Sequence, residues 1–161
     1  MIPVRKAMDL DAGSMARLLN SIIEKGGTTA LTRPVTATDI RQWMAVNANM
    51  SAWHVALDDQ EQVVGFQWIS PHENLPPEAA DVATFVKLGR SGLGIGSALF
   101  TATQKAARDL GYVWINATIR ADNEGGITYY QSRGFRDWHF DEAVTLESGL
   151  IVDKISKRFD L

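Results

Sequence analysis

Cysteine is absent from the sequence, and its absence removes several kinds of chemistry at once. Disulfide bonds, thiolate metal sites and acyl transfer through a covalent cysteine intermediate are excluded. The three histidines are too scattered along the chain to suggest metal ligands, so no metal site is predicted. No apolar run approaches the ~20 residues of a membrane-spanning helix, and the first residues lack a signal-peptide pattern. We therefore expect a cytoplasmic protein that has no membrane partner.

An excess of charge of one sign is also lacking. Sixteen basic residues nearly balance nineteen acidic ones and leave a formal net charge of −3 at pH 7. This balance argues against a dedicated nucleic-acid-binding protein and against one that binds membrane surfaces, although a local basic patch could still bind a phosphate. The length of 161 residues and the 45% share of hydrophobic residues suit one substantial core. Residues 1–161 are therefore predicted to form a single domain.

Hydrophobic periodicity and turn residues divide the chain into strands and helices. The predicted strands are residues 2–7, 52–57, 63–69, 82–86, 112–119, 135–140 and 150–159. Helices are predicted to begin near Asp9 or Asp11, at a cap near Thr38, at Ile95 and near Asp122 or Asn123. The order β-α-α-β-β-β-α-β-α-β-β predicts an α/β fold in which about four helices flank a mixed, mostly antiparallel sheet of about seven strands.

The clearest predicted element is the helix over residues 95–110. Small and apolar side chains recur on one helical face, and Gly111 stands where a helix C-cap is expected. The residues expected on the buried face are Ile95, Ala98, Leu99, Ala102, Ala106 and Leu110. This helix and the strand after it, with the strand at 82–86, predict one crossover unit.

A glycine-rich segment with the sequence GRSGLGIGS, residues 89–97, leads into this helix. Gly92, Gly94 and Gly96 let the backbone approach a ligand closely and adopt positive φ where needed. The first amide groups of the helix have no internal acceptor, so together with the helix dipole they favour an anion, above all a phosphate. A tight turn without a ligand is the alternative, but one glycine would suffice for it. The pattern therefore predicts a phosphate-binding loop.

Three other motifs fail on this segment. A P-loop needs Lys-Ser/Thr after its second glycine, and the dinucleotide-binding fingerprint needs the spacing GxGxxG; neither is present. Residues 89–93 approach the nucleophile elbow GxSxG but lack its last glycine. Binding of a phosphate by backbone amides and a tight turn without a ligand are the two interpretations that remain.

Two motifs together resemble the GNAT superfamily of N-acetyltransferases. Residues 91–96, SGLGIG, occupy the register of the family's Arg/Gln-x-x-Gly-x-Gly/Ala, with Ser91 where the family usually carries Arg or Gln. Residues 123–135, NEGGITYYQSRGF, look like the family's Asn-x-x-(small)-x-x-x-Tyr-x-x-x-Gly-Phe. Residues 26–30 and Trp43 are similar to the phosphinothricin and amino-acid acetyltransferase branch.

The resemblance implies an enzyme that uses acetyl-CoA as cosubstrate and passes the acetyl group directly to a primary amine of a small molecule, such as an amino acid. It also allows a homodimer. The implied cofactor-binding residues are the backbone of Phe85 and Val86 beside the pantetheine arm, the loop residues Ser91, Gly92, Leu93, Gly94, Ile95, Gly96 and Ser97 at the pyrophosphate, and Asn123 and Ser132 at the pantetheine or phosphate end.

Two catalytic residues follow from the same resemblance. Tyr130 would protonate the departing thiolate, and Asp81 would take a proton from the attacking amine. The alternatives are a core tyrosine at position 130 and an exposed acid at position 81, and Tyr129 is expected to be the more buried of the two tyrosines. A non-catalytic acyl-CoA-binding or regulatory module is the competing function, supported by Ser91. Nothing in the sequence names the acceptor, and Trp43 and Trp68 are interpreted as structural residues rather than as its binding wall.

Overall fold

The computed structural model describes residues 2–90 and 92–161. Within them, seven strands and four α-helices follow each other in the predicted order. The strands are β1 (Val4–Lys6), β2 (Ala52–Leu57), β3 (Val63–Ser70), β4 (Ala79–Val86), β5 (Trp114–Arg120), β6 (Arg136–Thr145) and β7 (Ile151–Asp160). The helices are α1 (Ala12–Lys25), α2 (Ala37–Ala45), α3 (Ile95–Asp109) and α4 (Glu124–Ser132). None of the helices in the described part of the chain is long and apolar enough to cross a membrane.

The strands form one sheet in the order β1-β2-β3-β4-β5-β7-β6. Every neighbouring pair is antiparallel except β4 and β5, which run parallel. These two strands pair over only three positions, Ala79 to Asp81 against Trp114 to Asn116. Beyond those positions they separate, and the middle of the sheet opens. The predicted α/β fold with a mixed, mostly antiparallel sheet is confirmed.

Hydrophobic clusters cover both faces of the sheet, because alternate side chains of a strand point to opposite faces. Met15 and Leu19 of α1 pack with Phe66 and Phe85 on one face. Phe100 of α3 and the aromatic residues that follow α4 pack on the other face around β5. The open middle of the sheet therefore has packed helices on both sides.

Three local predictions need correction. Thr36, not Thr38, caps α2: its Oγ1 accepts the Asp39 N–H at 3.0 Å, and the Asp39 carboxylate accepts the Thr36 N–H at 2.9 Å. This reciprocal capping box satisfies two N–H groups at once, which a cap at position 38 cannot do. On α3 the buried positions are Ile95, Leu99, Phe100, Thr103 and Ala107, so the buried face is rotated from the predicted row of alanines toward the bulkier side chains.

The third correction concerns strand length. β4 begins three residues before the predicted start at position 82, because the small residues Ala79 and Ala80 are buried where the strand pairs with β5. β6 extends five residues past its predicted end at position 140. Its residues 136–143 are all exposed, so no alternation of buried and exposed side chains marks the strand in the sequence.

Asp11 joins β1 to the start of α1. Sequence analysis expected Asp9 or Asp11 to cap this helix; Asp11 stands at the cap position, but its side chain makes no cap hydrogen bond. Its buried carboxylate instead accepts two hydrogen bonds from the Arg5 guanidinium, at 2.8 and 2.9 Å, and one from the Met8 N–H at 2.8 Å. The hydrogen bond from Arg5 holds the pKa of Asp11 below its usual value.

We expect Asp11→Asn to lower the free energy of unfolding by about 1–3 kcal/mol near neutral pH, because the charged acceptor of buried donors is lost. A carboxylate whose folded-state pKa is lowered stabilises the protein above its unfolded pKa of about 3.9, and this contribution disappears as pH falls through the folded pKa. Urea unfolding across that range should therefore show the two proteins converging in acid. The exposed Asp9→Asn is the control, and a difference that persists below both pKa values would contradict the assignment.

Candidate active site

A cavity of about 980 Å³ occupies the opening between β4 and β5. The predicted site residues that line it are Asp81, Phe85, Val86, Gly92, Gly94, Ile95, Gly96, Ser97, Asn123, Tyr130 and Ser132. Leu93 does not line the cavity and is 58% exposed to solvent. Ser91 lies outside the described residues. The two motifs, which are separated by a helix and a strand in the sequence, thus meet at one site.

The register between β3 and β4 decides which backbone groups of β4 face the cavity. The Lys87 N–H donates to the Val64 carbonyl at 2.8 Å, so positions 64 and 87 form a hydrogen-bonded pair. Hydrogen-bonded pairs alternate along an antiparallel ladder, so the backbone of Phe85 is paired with Phe66. The N–H and C=O groups of Val86, like those of Thr84, point the other way, into the opening. Of the two predicted backbone contacts, Val86 therefore turns its N–H and C=O groups toward the cavity, whereas Phe85 offers the cavity only its side chain.

The glycine loop is shaped for a ligand at two of its positions. Gly92 and Gly94 have φ of 79° and 84°, and a Cβ on either would project into open space. Gly94 stands at the N-cap of α3, where the first helical N–H groups have no acceptor within the helix. Position 96 requires glycine for a different cause, because a Cβ there would lie 2.6 Å from a ring carbon of Tyr129 and clash with it.

Arg133 brings a positive charge to this loop. Its Nη1 donates a hydrogen bond to Ser97 Oγ, and its buried Nε has no partner among the residues that the structure describes. Arg90 lines the same end of the cavity. Amide groups at a helix N-terminus together with guanidinium groups form an environment that suits a pyrophosphate.

The order of burial of Tyr129 and Tyr130 is the reverse of the predicted one. Tyr130 is 7% exposed, whereas Tyr129 is only partly buried. The prediction that Tyr129 is the more buried residue is therefore wrong, because the side chain of Tyr129 leans over Gly96 and its hydroxyl donates to the Gly96 carbonyl at 2.7 Å. The Tyr130 hydroxyl lies 2.8 Å from Thr84 Oγ1 at the cavity wall, and burial raises the pKa of Tyr130.

Asp81 is a half-buried carboxylate, not an exposed acid at the start of a strand. Desolvation raises the pKa of Asp81, while a 2.9 Å hydrogen bond from Asn116 Nδ2 and the charges of His72 and Lys154 act in the opposite direction. The indole N–H of Trp138, which can only donate, is 2.9 Å from Asn116 Oδ1. This contact fixes the Asn116 amide so that its nitrogen faces Asp81.

The predicted contacts at Asn123 and Ser132 are occupied within the protein. Asn123 Oδ1 accepts the Gly126 N–H at the start of α4, and its Nδ2 donates to the Thr28 carbonyl at 3.1 Å. Ser132 Oγ donates to the Tyr129 carbonyl at 2.7 Å. Asn123 thus holds the segment after α1 over the cavity. This is a structural role, separate from any contact with a ligand.

Several polar residues at this site were not predicted from the sequence. Arg120 is 6% exposed and bridges Asp122 and the Thr29 carbonyl, which ties the segment after α1 to the cavity wall. The other missed residues are Gln67, Thr84, Asn116 and Lys154. Each stands within a strand, and Gln67 and Asn116 are nearly or fully buried. A polar residue between apolar neighbours in a strand was the available signal, but it does not reveal which strands separate.

Comparison with known proteins gives three findings. A sequence model described as "Acetyltransferase (GNAT) family" matches residues 16–135. YwnH of Bacillus subtilis strain 168, provisionally named phosphinothricin acetyltransferase, is 27% identical over 165 residues, which cover 98% of this chain and 94% of YwnH. Mycothiol acetyltransferase of Paenarthrobacter aurescens strain TC1 is 32% identical over 91 residues, which cover 54% of this chain and 28% of that protein.

Solved structures share the fold. The crystal structure of a GNAT superfamily phosphinothricin acetyltransferase from Sinorhizobium meliloti, in complex with acetyl-CoA, matches with a TM-score of 0.89 at 20% identity. The match covers 99% of this chain and 88% of that one. At this identity the likeness is one of fold.

Proposed function

Because the chain belongs to the GNAT acetyltransferase family, we propose that it transfers the acetyl group of acetyl-CoA directly to a primary amine of a small molecule. One observation carries the proposal. The glycine loop, the carboxylate of Asp81 and the hydroxyl of Tyr130 all line the same cavity. A phosphate-binding cradle, a base and an acid within one opening are what amide formation from a thioester requires.

The residues of the cavity fit acetyl-CoA. Gly92 and Gly94 leave the space that a pyrophosphate needs. The buried Nε of Arg133, which has no partner within the described part of the chain, supplies a donor near that space. The free backbone groups of Thr84 and Val86 suit the amides of an extended pantetheine arm, which would pair with β4 as a further strand does. Acetyl-CoA supplies an activated acyl group, and the reaction needs only proton transfers from the protein.

Asp81 and Tyr130 carry out those proton transfers. Alkyl amines are mostly protonated at neutral pH, and a carboxylate with a raised pKa accepts a proton from an ammonium group more readily than an ordinary aspartate does. Tyr130 donates its proton to the sulfur as the C–S bond breaks. Of the two protons that the ammonium group loses on becoming an amide, one is balanced by the new S–H and one is released to solvent.

The acceptor end of the cavity suits an amine that also carries an apolar part and a carboxylate. Trp43 and Trp68, interpreted from the sequence as structural residues, line the cavity on one side together with Phe85. The ring centroids of Trp68 and Phe85 are 5.9 Å apart. Lys154 lies close enough to affect the pKa of Asp81. An α-amino acid would place its amine near Asp81 and its carboxylate near Lys154. The names of the relatives, phosphinothricin acetyltransferase among them, support a small-molecule acceptor.

A thermal-shift titration combined with a turnover assay tests the proposal. Acetyl-CoA at 100 times its Kd should stabilise the protein by about 2.7 kcal/mol, because only the folded state holds the cradle. Incubation with a panel of amines, amino acids included, should then release CoA thiol. Stabilisation without thiol release for any amine would favour the competing function, an acyl-CoA-binding regulatory module. Stabilisation by NAD or ATP but not by acetyl-CoA would overturn both.

Gly94 offers a test of the cradle with a matched control. We expect Gly94→Val to abolish binding of acetyl-CoA in calorimetry, because the side chain fills the space for the phosphates. Gly111 has a similar φ of 88° and also faces open space, but it lies outside the cavity. Gly111→Val therefore imposes similar backbone strain and should leave Kd unchanged. Normal affinity in the Gly94 variant would place the pyrophosphate elsewhere.

A further inference from the structure

A hydrogen-bond chain runs through the protein from the glycine loop to Tyr130. The Tyr129 hydroxyl lies 2.7 Å from the Gly96 carbonyl and 3.2 Å from Gln67 Nε2. Gln67 Nε2 is in turn 2.7 Å from Thr84 Oγ1, which is 2.8 Å from the Tyr130 hydroxyl. Gln67 and Thr84 stand directly opposite each other on β3 and β4, so the pairing of the two strands holds this geometry.

The directions of the first three bonds in this chain follow from its first member, whereas geometry alone allows the bond between Thr84 and Tyr130 to run either way. A backbone carbonyl can only accept, so Tyr129 uses its single proton on Gly96. The oxygen of Tyr129 must then accept from Gln67, which turns the amide nitrogen of Gln67 toward the chain. The second proton of that nitrogen goes to Thr84 Oγ1.

The reverse orientation of the Gln67 amide would cost more free energy. Gln67 is fully buried, and its Oε1 has no partner among residues 2–90 and 92–161. Turning the amide over would place two unpaired N–H donors at that position, and buried donors without partners are rarer and costlier than under-used carbonyl oxygens.

We propose that Gln67 and Thr84 are positioning residues that fix the direction of the hydrogen bond at Tyr130, so that Thr84 donates and the Tyr130 proton is left free for the leaving sulfur. Within the described residues, Thr84 Oγ1 lies within hydrogen-bond distance of two side chains, Gln67 and Tyr130. It accepts from Gln67, and in the proposed direction its own proton goes to the Tyr130 oxygen. In the reverse direction Tyr130 would spend its proton on Thr84. The inference rests on the acid role given to Tyr130 above.

The direction matters to the proton transfer itself. When the O–H bond of Tyr130 breaks, the proton forms the S–H bond and the tyrosinate keeps the electron pair. A hydrogen bond donated by Thr84 stabilises that tyrosinate. Tyr130 later regains, through water in the open cavity, one of the two protons that the ammonium group loses. Burial raises the pKa of Tyr130 and makes its proton harder to give, whereas the hydrogen bond with Thr84 acts in the opposite direction.

The first test reads the direction in the protein without substrate. A phenol that accepts and one that donates differ in the intensity ratio of the tyrosine doublet in the Raman spectrum, and subtracting the spectrum of Tyr130→Phe isolates the residue. We expect the acceptor type in the wild type. The ionised carboxylate of Gln67→Glu can only accept, so Thr84 should donate to it and Tyr130 should donate to Thr84. The spectrum of this variant should therefore shift toward the donor type as pH rises. A donor type in the wild type, or no shift in the variant, overturns the proposal.

The second test separates direction from packing. Thr84→Val keeps the shape of the side chain but loses the donor, and kcat should fall about tenfold to a hundredfold with the KM for acetyl-CoA unchanged. Thr84→Ser should restore most of it. In the Tyr130→Phe background, Thr84→Val should have no further effect, because both act through one hydroxyl. A wild-type kcat in Thr84→Val, or an equal loss of kcat in both backgrounds, overturns the proposal. If Tyr130→Phe itself has the wild-type kcat, the acid role is overturned instead, and the Raman result on the hydrogen-bond direction remains valid.

Discussion

Tyr130→Phe should lower kcat by roughly 10²- to 10⁴-fold with its acceptor, the range that a positioned general acid contributes. The substitution removes the hydroxyl and almost no volume, so the ring stays packed against Phe135, 5.1 Å away between ring centroids. Affinity for acetyl-CoA should barely change, because neither the glycine loop nor the backbone of β4 is touched. Steady-state kinetics and calorimetry on the same preparation measure the two quantities.

The control for this prediction is Tyr112, not the neighbouring Tyr129. Tyr129 donates to the Gly96 carbonyl, so removing its hydroxyl would disturb the loop. Tyr112 is 5% exposed, its hydroxyl donates to the Met50 carbonyl at 2.6 Å, and it lies outside the cavity. Tyr112→Phe therefore loses a comparable buried hydrogen bond and should leave kcat unchanged. A wild-type rate in Tyr130→Phe would mean that water or the ammonium group protonates the sulfur, and Tyr130 would be a core residue.

The order of the elements was predictable from local signals. Apolar periodicity, glycine at helix ends and polar turns mark the strands and helices within a few residues of their places, except at the end of β6. Two motifs mark the ends of the cavity. These signals are read within one segment at a time. They need no knowledge of which strands become neighbours.

The polar interior of the site was not predictable in the same way. Gln67 and Thr84 each stand between apolar neighbours in their strands, and only the register of β3 against β4 brings them together. Asn116 meets Asp81 because β4 and β5 are parallel neighbours for three positions, a pairing that spans 35 residues of sequence. Contacts of this kind depend on the tertiary arrangement, so the pattern of one segment does not predict them.

The exposure of Tyr129 also depends on a tertiary contact that its own segment does not reveal. The motif predicts a catalytic role for Tyr130, whereas the burial predicted for Tyr129 rested on its apolar neighbours Ile127 and Phe135. In the structure Gly96 has no side chain, which leaves room for the ring of Tyr129 at the loop. The pairing of a glycine with a tyrosine 33 residues later decides the exposure of Tyr129.

Asp81→Asn should lower kcat/KM by roughly 10²- to 10⁴-fold near neutral pH while leaving the protein at least as stable as the wild type. The two expectations have one cause. Burial raises the pKa of Asp81, so between the unfolded and the folded pKa the folded state binds more protons, and stability falls as pH rises through that window. Above it the wild type carries the full cost of a desolvated carboxylate. The variant avoids that cost, because its neutral amide still accepts the hydrogen bond from Asn116.

The pH dependence separates a base from a structural carboxylate. The wild-type kcat/KM should fall in acid with an apparent pKa above the usual aspartate value of about 3.9, because protonated Asp81 cannot take a proton from the amine. Without that group the variant depends on amine that is already neutral, so its rate should rise about tenfold per pH unit up to the pKa of the acceptor. Asp109→Asn, an exposed position on α3, should follow the wild-type profile. A variant at position 81 that keeps the wild-type rate and acid limb would show that water removes the proton and that the carboxylate only binds Asn116.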